Sequence, residues 1–229
     1  FLDNHTVKKE NSMGTRATSK EKQRIASILA ELRRLYPNAR PELLFTNPFE
    51  MLVATMLSAQ CTDKQVNKVT PKVFALYPTA AIMAKVPESE LYPLVRSCGF
   101  ASKAKNIIAT SKILVEKYDG AVPNTLEELT QLPGVGRKTA NVVMANAFHI
   151  PRLAVDTHVF RVSNRLKLAD AKTELETEKQ LMNVIPETDW IDAHHQLILH
   201  GRRVCDARKP KCEECTLAAL CPYLKTKKV

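Results

Sequence analysis

Apolar residues recur along most of the chain at the three-to-four-residue spacing of amphipathic helices. Two clear cases are positions 25, 28, 29, 32 and 35, and positions 140, 143, 144, 147 and 148. Strict alternation of apolar and polar residues, which marks a half-buried strand, is absent over any useful length of the sequence. Start signals such as Asn47-Pro48 and stop signals such as Pro37 divide the chain into about a dozen short helices. The pattern therefore predicts an all-α protein.

Two of these helix patterns meet at a glycine-containing turn in the middle of the chain. A short helix is predicted after Thr125, and a second helix pattern follows the turn Leu132-Pro133-Gly134-Val135-Gly136. The two glycines permit a hairpin whose backbone N–H groups are not covered by side chains. The second helix directs its free N–H groups and the positive end of its dipole at this hairpin. The unit at 125–148 is therefore a candidate phosphate-binding site.

Composition indicates what kind of molecule carries that phosphate. Lys and Arg number 34 against 24 Asp and Glu, which gives a net charge of +10. This charge favours a polyanionic partner such as nucleic acid, although ribosome-like or membrane-surface binding would give the same sum. The longest apolar run, residues 51–59, includes Thr55 and Ser58, so we expect no membrane-spanning segment and no membrane partner. The start of the sequence lacks an apolar signal core, and we expect a cytoplasmic protein.

The cysteines suggest a metal site near the end of the sequence. Four of the six have the spacing C-x6-C-x2-C-x5-C, namely Cys205, Cys212, Cys215 and Cys221. Four thiolates this close together can bind one metal centre, and the spacing alone leaves both structural zinc and an iron–sulfur cluster open. Three nearby histidines, at positions 194, 195 and 200, also resemble metal ligands. They do not share a helix face, so we expect them to pack in the core or on the surface and not to bind metal.

In combination these motifs resemble the endonuclease III family, bacterial DNA glycosylases and AP lyases of the helix-hairpin-helix type. The resemblance extends from about residue 21 to residue 224. It rests on the cysteine segment and on three further motifs: Ser58-Ala59-Gln60, Leu132 to Ala140, and Val155-Asp156-Thr157-His158.

The resemblance implies two all-α domains with a DNA cleft between them. One is a six-helix barrel at 41–150, which contains the helix-hairpin-helix. The other is an iron–sulfur cluster domain made from residues 21–40 and 151–229. Residues 1–20 are polar and aperiodic, and we expect them to be disordered.

The resemblance also implies a bifunctional repair enzyme that excises oxidised pyrimidines from duplex DNA and cleaves the strand by β-elimination. Lys138 matches the family's Schiff-base lysine, which attacks C1′ of the sugar. The sequence pattern alone favours a surface lysine that binds phosphate, and the resemblance reverses that interpretation. Asp156 matches the family's aspartate, which stabilises the charge on the sugar and assists proton transfer. Taken alone, an Asp before Thr-His-Val is an ordinary N-cap.

Further DNA contacts are predicted in four segments of the chain. Gln60 matches the family's residue that fills the gap left by a flipped nucleotide, and Phe100, in a loop one residue shorter than the family usually has, is the predicted opposing wedge. Arg202 and Lys211, near the cysteines, would contact DNA phosphates or balance the anionic thiolates. Around the hairpin the predicted DNA-binding residues are Leu132, Gly134, Val135, Gly136 and Arg137.

For the cysteines the resemblance implies a [4Fe–4S] cluster, which would organise the DNA-binding loop rather than perform the chemistry. The implied partner is double-stranded DNA with damaged bases or abasic sites, and we expect a monomer in the bacterial cytoplasm, associated with the nucleoid. Two other functions stay open from the sequence. One is a monofunctional glycosylase of the mismatched-adenine type, against which Lys138 argues. The other is a non-catalytic DNA-binding module held by zinc.

Overall fold

The computed structural model describes residues 18–226, and within this range the chain is helical with no β-strand. No helix in this range is long and apolar enough to cross a membrane. The all-α prediction is confirmed. Short 3₁₀ turns lie at Arg96–Cys98, Glu187–Asp189 and Ala218–Leu220. The α-helices in chain order are α1 (Ser19–Leu35), α2 (Pro48–Ser58), α3 (Asp63–Leu76), α4 (Ala80–Met83), α5 (Glu88–Val95), α6 (Ser102–Tyr118), α7 (Leu126–Thr130), α8 (Arg137–Phe148), α9 (Thr157–Arg165), α10 (Glu174–Val184), α11 (Trp190–Arg203) and α12 (Pro222–Thr226).

Side-chain caps begin several of these helices where the sequence signals predict them. Asn47 accepts from the backbone N–H of Glu50 at 3.0 Å, and Pro48 is the first helical residue of α2. Thr18 caps α1 in the same way. Helix α1 and its cap thus begin within the segment predicted to be disordered. The prediction is therefore wrong for residues 18–20. Its remaining part, residues 1–17, lies outside the described residues.

Buried apolar side chains form two clusters. The first cluster lies among α2 to α8, between residues 43 and 144. The second joins α1 to α9, α10 and α11, with Leu32, Val159 and Leu197 at 0% exposure. The chain therefore starts in one domain, builds the other, and returns to the first, which is the two-domain fold that the resemblance implies. The boundaries near residues 40 and 150 stay predictions.

Two sets of ion pairs join the domains. Arg137, at the start of α8, pairs with Glu178 of α10 through Nη2 and Oε1 at 2.6 Å, and the Glu178 side chain is only 6% exposed. Arg202 of α11 pairs with Glu42 at 2.6 Å and with Asp63 of α3 at 3.2 Å. The Glu178 hydrogen bond raises the pKa of the Arg137 guanidinium. These ion pairs therefore cross from one buried cluster to the other.

Candidate active site and cysteine cluster

The turn between α7 and α8 presents uncapped backbone N–H groups. Gly134 has φ +76°, and a Cβ there would lie 2.8 Å from Nδ2 of Asn106, so a larger residue would meet both backbone strain and a clash. Gly136 has an ordinary φ of −87° and open space at its Cβ position, and it is the N-cap of α8 without a side-chain hydrogen bond. The first N–H groups of α8 therefore remain available, and an anion can bind there.

The side chains of this hairpin face the protein interior. Leu132 and Val135 are 3% and 5% exposed and belong to the first cluster. Thr110 of α6 donates to the carbonyl of Pro133 at 3.0 Å, which holds the turn against α6. Any DNA contact of Leu132 or Val135 must therefore come from backbone groups. The guanidinium of Arg137 pairs with Glu178, yet the side chain is 46% exposed, so its predicted DNA contact stays a prediction.

A cavity of about 420 Å³ opens between the two domains. It brings together Lys138 from α8, Asp156 from the start of α9 and Gln60 from the loop after α2. Arg202 also lines the cavity, and its guanidinium forms ion pairs with the carboxylates of Glu42 and Asp63. The predicted phosphate contact of Arg202 is therefore in competition with two ion pairs within the protein.

Lys138 and Asp156 reach this cavity from two helix starts. Lys138 is exposed and is the second residue of α8, beside the uncapped N–H groups. Asp156 is half-buried and caps α9, where its Oδ1 accepts from the N–H of Val159 at 2.7 Å. The ordinary capping role of Asp156 is thus present, and the same carboxylate also faces the cavity.

Buried histidines of α11 form part of the cavity wall. His194 donates from Nδ1 to the carbonyl of Ala154 at 2.7 Å, and Nε2 of His195 lies 2.9 Å from Oδ1 of Asn146. Burial lowers the pKa of both rings, that of His195 to about 3, so they are neutral at pH 7. The histidines pack, as their spacing predicts, but sequence reasoning missed that two of them line the cavity.

Gln60 and Phe100 lie on two short loops and are both exposed. Gln60 has φ +54°, which is uncommon for a residue other than glycine. Phe100 is 64% exposed and follows Gly99, whose φ is +111°. Gln60 lines the cavity, whereas Phe100 lies outside its wall.

The four clustered cysteines line a second, smaller pocket beside α11. All four are unpaired thiols. In the described part of the chain, no three His, Cys, Asp or Glu side chains are grouped closely enough to hold one metal ion. A [4Fe–4S] cluster bonds each thiolate to a different iron, so thiols spread around one pocket fit such a cluster. They are Cys205, Cys212, Cys215 and Cys221.

Arg165 is a cationic partner of this pocket that sequence reasoning missed. Its Nη1 lies 3.4 Å from Sγ of Cys205 and 2.6 Å from the carbonyl of Asp206, and its guanidinium stacks on the ring of Tyr223 at 4.7 Å. A fixed positive charge here would stabilise the anionic thiolates of a bound cluster. Lys211, in the same loop, is exposed.

Comparison with known proteins gives matches over nearly the whole chain. Residues 53–187 match the family described as HhH-GPD superfamily base excision DNA repair protein, and residues 205–221 match the iron–sulfur binding domain of endonuclease III. Endonuclease III from Synechocystis sp. is 50% identical over 209 residues, which cover 90% of this chain and 95% of that protein. Endonuclease III from Escherichia coli K12 is 47% identical over 197 residues, covering 86% and 93%.

A solved structure agrees in fold. The trapped covalent intermediate of an endonuclease III with DNA is 46% identical to this chain, has a TM-score of 0.86, and covers 93% of this chain and 100% of that one. The iron–sulfur match confirms the predicted [4Fe–4S] cofactor. With a superfamily match over more than half of the chain and relatives near 50% identity, this chain belongs to the endonuclease III family of the HhH-GPD superfamily.

Proposed function

We propose that the chain is a bifunctional DNA glycosylase and AP lyase that excises oxidised pyrimidines from duplex DNA and cleaves the strand by β-elimination. The observation that carries the proposal is the cavity between the domains, which brings an exposed lysine and a carboxylate together beside an uncapped helix start. Its relatives are endonucleases III, one of which is solved as a covalent intermediate with DNA. A covalent intermediate requires a nucleophile, and Lys138 is the lysine that lines the cavity.

DNA binding combines backbone and side-chain groups. The backbone N–H groups at Gly134, Gly136 and the start of α8 bind a phosphate, and the net charge of +10 adds affinity that does not depend on base sequence. A base in duplex DNA hides its glycosidic bond, so the nucleotide must be flipped into the cavity. Gln60 fills the gap that it leaves, and Phe100 acts as the opposing wedge; both side chains are exposed on loops.

Lys138 acts as the nucleophile. Its neutral amine attacks C1′ of the sugar, the C–N bond to the damaged base breaks, and the departing base takes up a proton. Ring opening gives an imine between the lysine and the sugar, and loss of a C2′ proton expels the 3′ phosphate by β-elimination. The position of Lys138 at the phosphate-binding helix start holds the amine next to the flipped sugar.

Asp156 stabilises the electron-poor sugar as the base leaves. Its Oδ1 is held by the N–H of Val159, which fixes the carboxylate at the cavity wall. A fixed carboxylate at this place favours an oxocarbenium-like transition state, and it can assist proton transfer.

The [4Fe–4S] cluster would be held by the four cysteines of the second pocket. When bound, it supplies structural order and does no chemistry in base excision. The segment 202–211, which runs from the last residues of α11 to Cys212, would be attached to it through Cys205, and Lys211 in that segment contacts DNA phosphates. We further propose that the protein acts as a monomer in the bacterial cytoplasm, associated with the nucleoid; the relatives are bacterial proteins.

The purified protein is expected to be yellow-brown and to contain iron and sulfide in equal amounts, because a [4Fe–4S] cluster requires both. Elemental analysis and visible absorbance measure this. Cys212→Ser should lose the metal and weaken DNA binding, whereas Cys61→Ser, outside the pocket, should keep it. Colourless protein with stoichiometric zinc would contradict the cluster assignment.

Thymine glycol is expected to be the preferred substrate in a duplex series that also contains 5-hydroxycytosine, 8-oxoguanine, uracil, and adenine opposite 8-oxoguanine. Saturation of the pyrimidine ring destroys planarity and stacking, which lowers the cost of flipping, a few kcal/mol, so a tolerant cavity selects bases that leave the helix readily. Single-turnover release of each base and strand cleavage are measured together. Adenine or 8-oxoguanine released well ahead of thymine glycol would refute the pyrimidine assignment, and excision without cleavage would indicate a monofunctional glycosylase.

A further inference from the structure

Lys103, near the start of α6, is a buried lysine with an unusual set of partners. Its side chain is 7% exposed, and its Nζ donates to the carbonyls of Leu57 at 2.8 Å, Ala59 at 2.6 Å and Cys98 at 2.6 Å. Three carbonyls match the three N–H donors of an ammonium group. Burial lowers the pKa of Lys103, while the nearby thiols of Cys61 and Cys98 act in the opposite direction.

The first two carbonyls belong to the end of α2 and the loop that follows it. The carbonyl of Leu57 lies in the last turn of α2, where backbone carbonyls lack a partner within the helix. The carbonyl of Ala59 belongs to the peptide group that joins Ala59 to Gln60. Because a peptide group is planar, the hydrogen bond to this oxygen fixes the orientation from which Gln60 adopts its φ of +54°. Lys103 therefore holds Gln60 in a conformation that such a residue rarely adopts.

The third carbonyl belongs to the other exposed loop. The oxygen of Cys98 is part of the peptide group that joins Cys98 to Gly99, and Gly99 has φ +111°. Phe100 follows directly and is 64% exposed. One ammonium group thus fixes the peptide just before Gln60 and the peptide just before the Gly99-Phe100 pair.

We propose that Lys103 is a positioning residue that locks the Gln60 loop and the Phe100 loop together, so that both side chains enter damaged DNA as one rigid unit. The inference rests on the proposed function, because it assigns both side chains to the DNA gap. It also gives a physical reason for a buried lysine at this position: an ammonium group has three N–H donors, enough for three carbonyls of two loops.

The test compares Lys103→Met, which keeps the length of the side chain but donates no hydrogen bond, with Lys105→Met, an exposed lysine on the same helix. Nucleotide flipping is followed in a Lys138→Gln background by the fluorescence of 2-aminopurine placed opposite thymine glycol, which needs no chemistry. Excision is followed in the parent background. We expect Lys103→Met to lose most of the fluorescence change and to slow excision roughly tenfold to a hundredfold, the size of effect seen when a reacting group is misplaced. In Lys105→Met the fluorescence change and the excision rate should remain within about twofold of the parent. The affinity of both variants for undamaged DNA should also remain within about twofold.

A double-mutant cycle separates positioning from general stability. If Lys103 acts through Gln60, adding Lys103→Met to Gln60→Ala should cost less than about threefold further. The proposal would be overturned if Lys103→Met slowed excision equally in the parent and in the Gln60→Ala background. It would also be overturned if Lys103→Met behaved like the parent. If Lys103→Met does not fold, a second cycle combines Gln60→Ala with Phe100→Ala. The proposal requires that the double variant excise the base no more slowly than the slower single variant. A rate reduced by the product of the two single effects would overturn it. A parent that excises no base from any lesion would reject the proposed function, whereas the fluorescence arm would still test Lys103.

Discussion

The Lys138→Gln variant is expected to bind abasic DNA but to lose strand cleavage by roughly three orders of magnitude or more, because it removes the nucleophile of a covalent mechanism. Gln keeps the length and polarity of the side chain and lacks the amine. The backbone N–H groups of α8 remain, so phosphate binding should persist. Single-turnover cleavage of a duplex with one abasic site, beside binding measured with a stable abasic analogue, gives both quantities.

Lys64→Gln is the matched control for this variant. Lys64 is the second residue of α3, as Lys138 is of α8, and it is exposed outside the cavity wall. It should cleave at nearly the parent rate. If Lys138→Gln cleaved as fast as Lys64→Gln, Lys138 would be a phosphate-binding surface lysine and the nucleophile would lie elsewhere.

Asp156→Asn is expected to slow excision of every base by roughly a hundredfold to a thousandfold while leaving DNA affinity within about threefold of the parent. Asn caps helices about as well as Asp, so it can accept from the N–H of Val159 and keep α9 intact. What it lacks is the negative charge that stabilises the sugar transition state. Single-turnover excision of thymine glycol with saturating enzyme isolates this step.

The same substitution distinguishes a catalyst from a cap. If Asp156 only capped α9, Asp156→Asn would be nearly neutral, and only Asp156→Ala would lower the melting temperature. Asp192→Asn, an exposed carboxylate of α11, controls for the general loss of a negative charge. Parent-like excision by Asp156→Asn would remove Asp156 from the chemistry.

Local features were predictable because they depend on neighbours in the sequence. The Asn47-Pro48 start of α2 and the Asp156 cap of α9 agree with signals carried by a few adjacent residues. Where two capping residues adjoin, the sequence does not decide between them. At the start of α3, Thr62 accepts from the backbone N–H of Gln65 at 3.2 Å, whereas the Asp63 carboxylate pairs with Arg202.

Pairings between distant residues could not be read from the sequence. Arg137 and Glu178 are 41 positions apart, and Arg202 and Asp63 are 139 apart. Their contact depends on how two domains pack, and neither helix periodicity nor capping describes that. Both arginines looked like DNA contacts because unpaired basic residues near a phosphate site usually are. The partners of Lys103 were hidden for the same reason, since its carbonyl acceptors lie 44 and 46 residues away as well as nearby.

Borohydride reduction of the parent protein on duplex DNA with an abasic site tests directly whether Lys138 is the nucleophile, because attack by an amine passes through a reducible imine. Digestion of the adduct and mass spectrometry then identify the attached residue. We expect a covalent protein–DNA adduct carried by the peptide that contains Lys138, and no adduct with Lys138→Gln. An adduct on another residue, or no adduct with a protein that still binds the DNA, would contradict the assignment of Lys138 as the nucleophile.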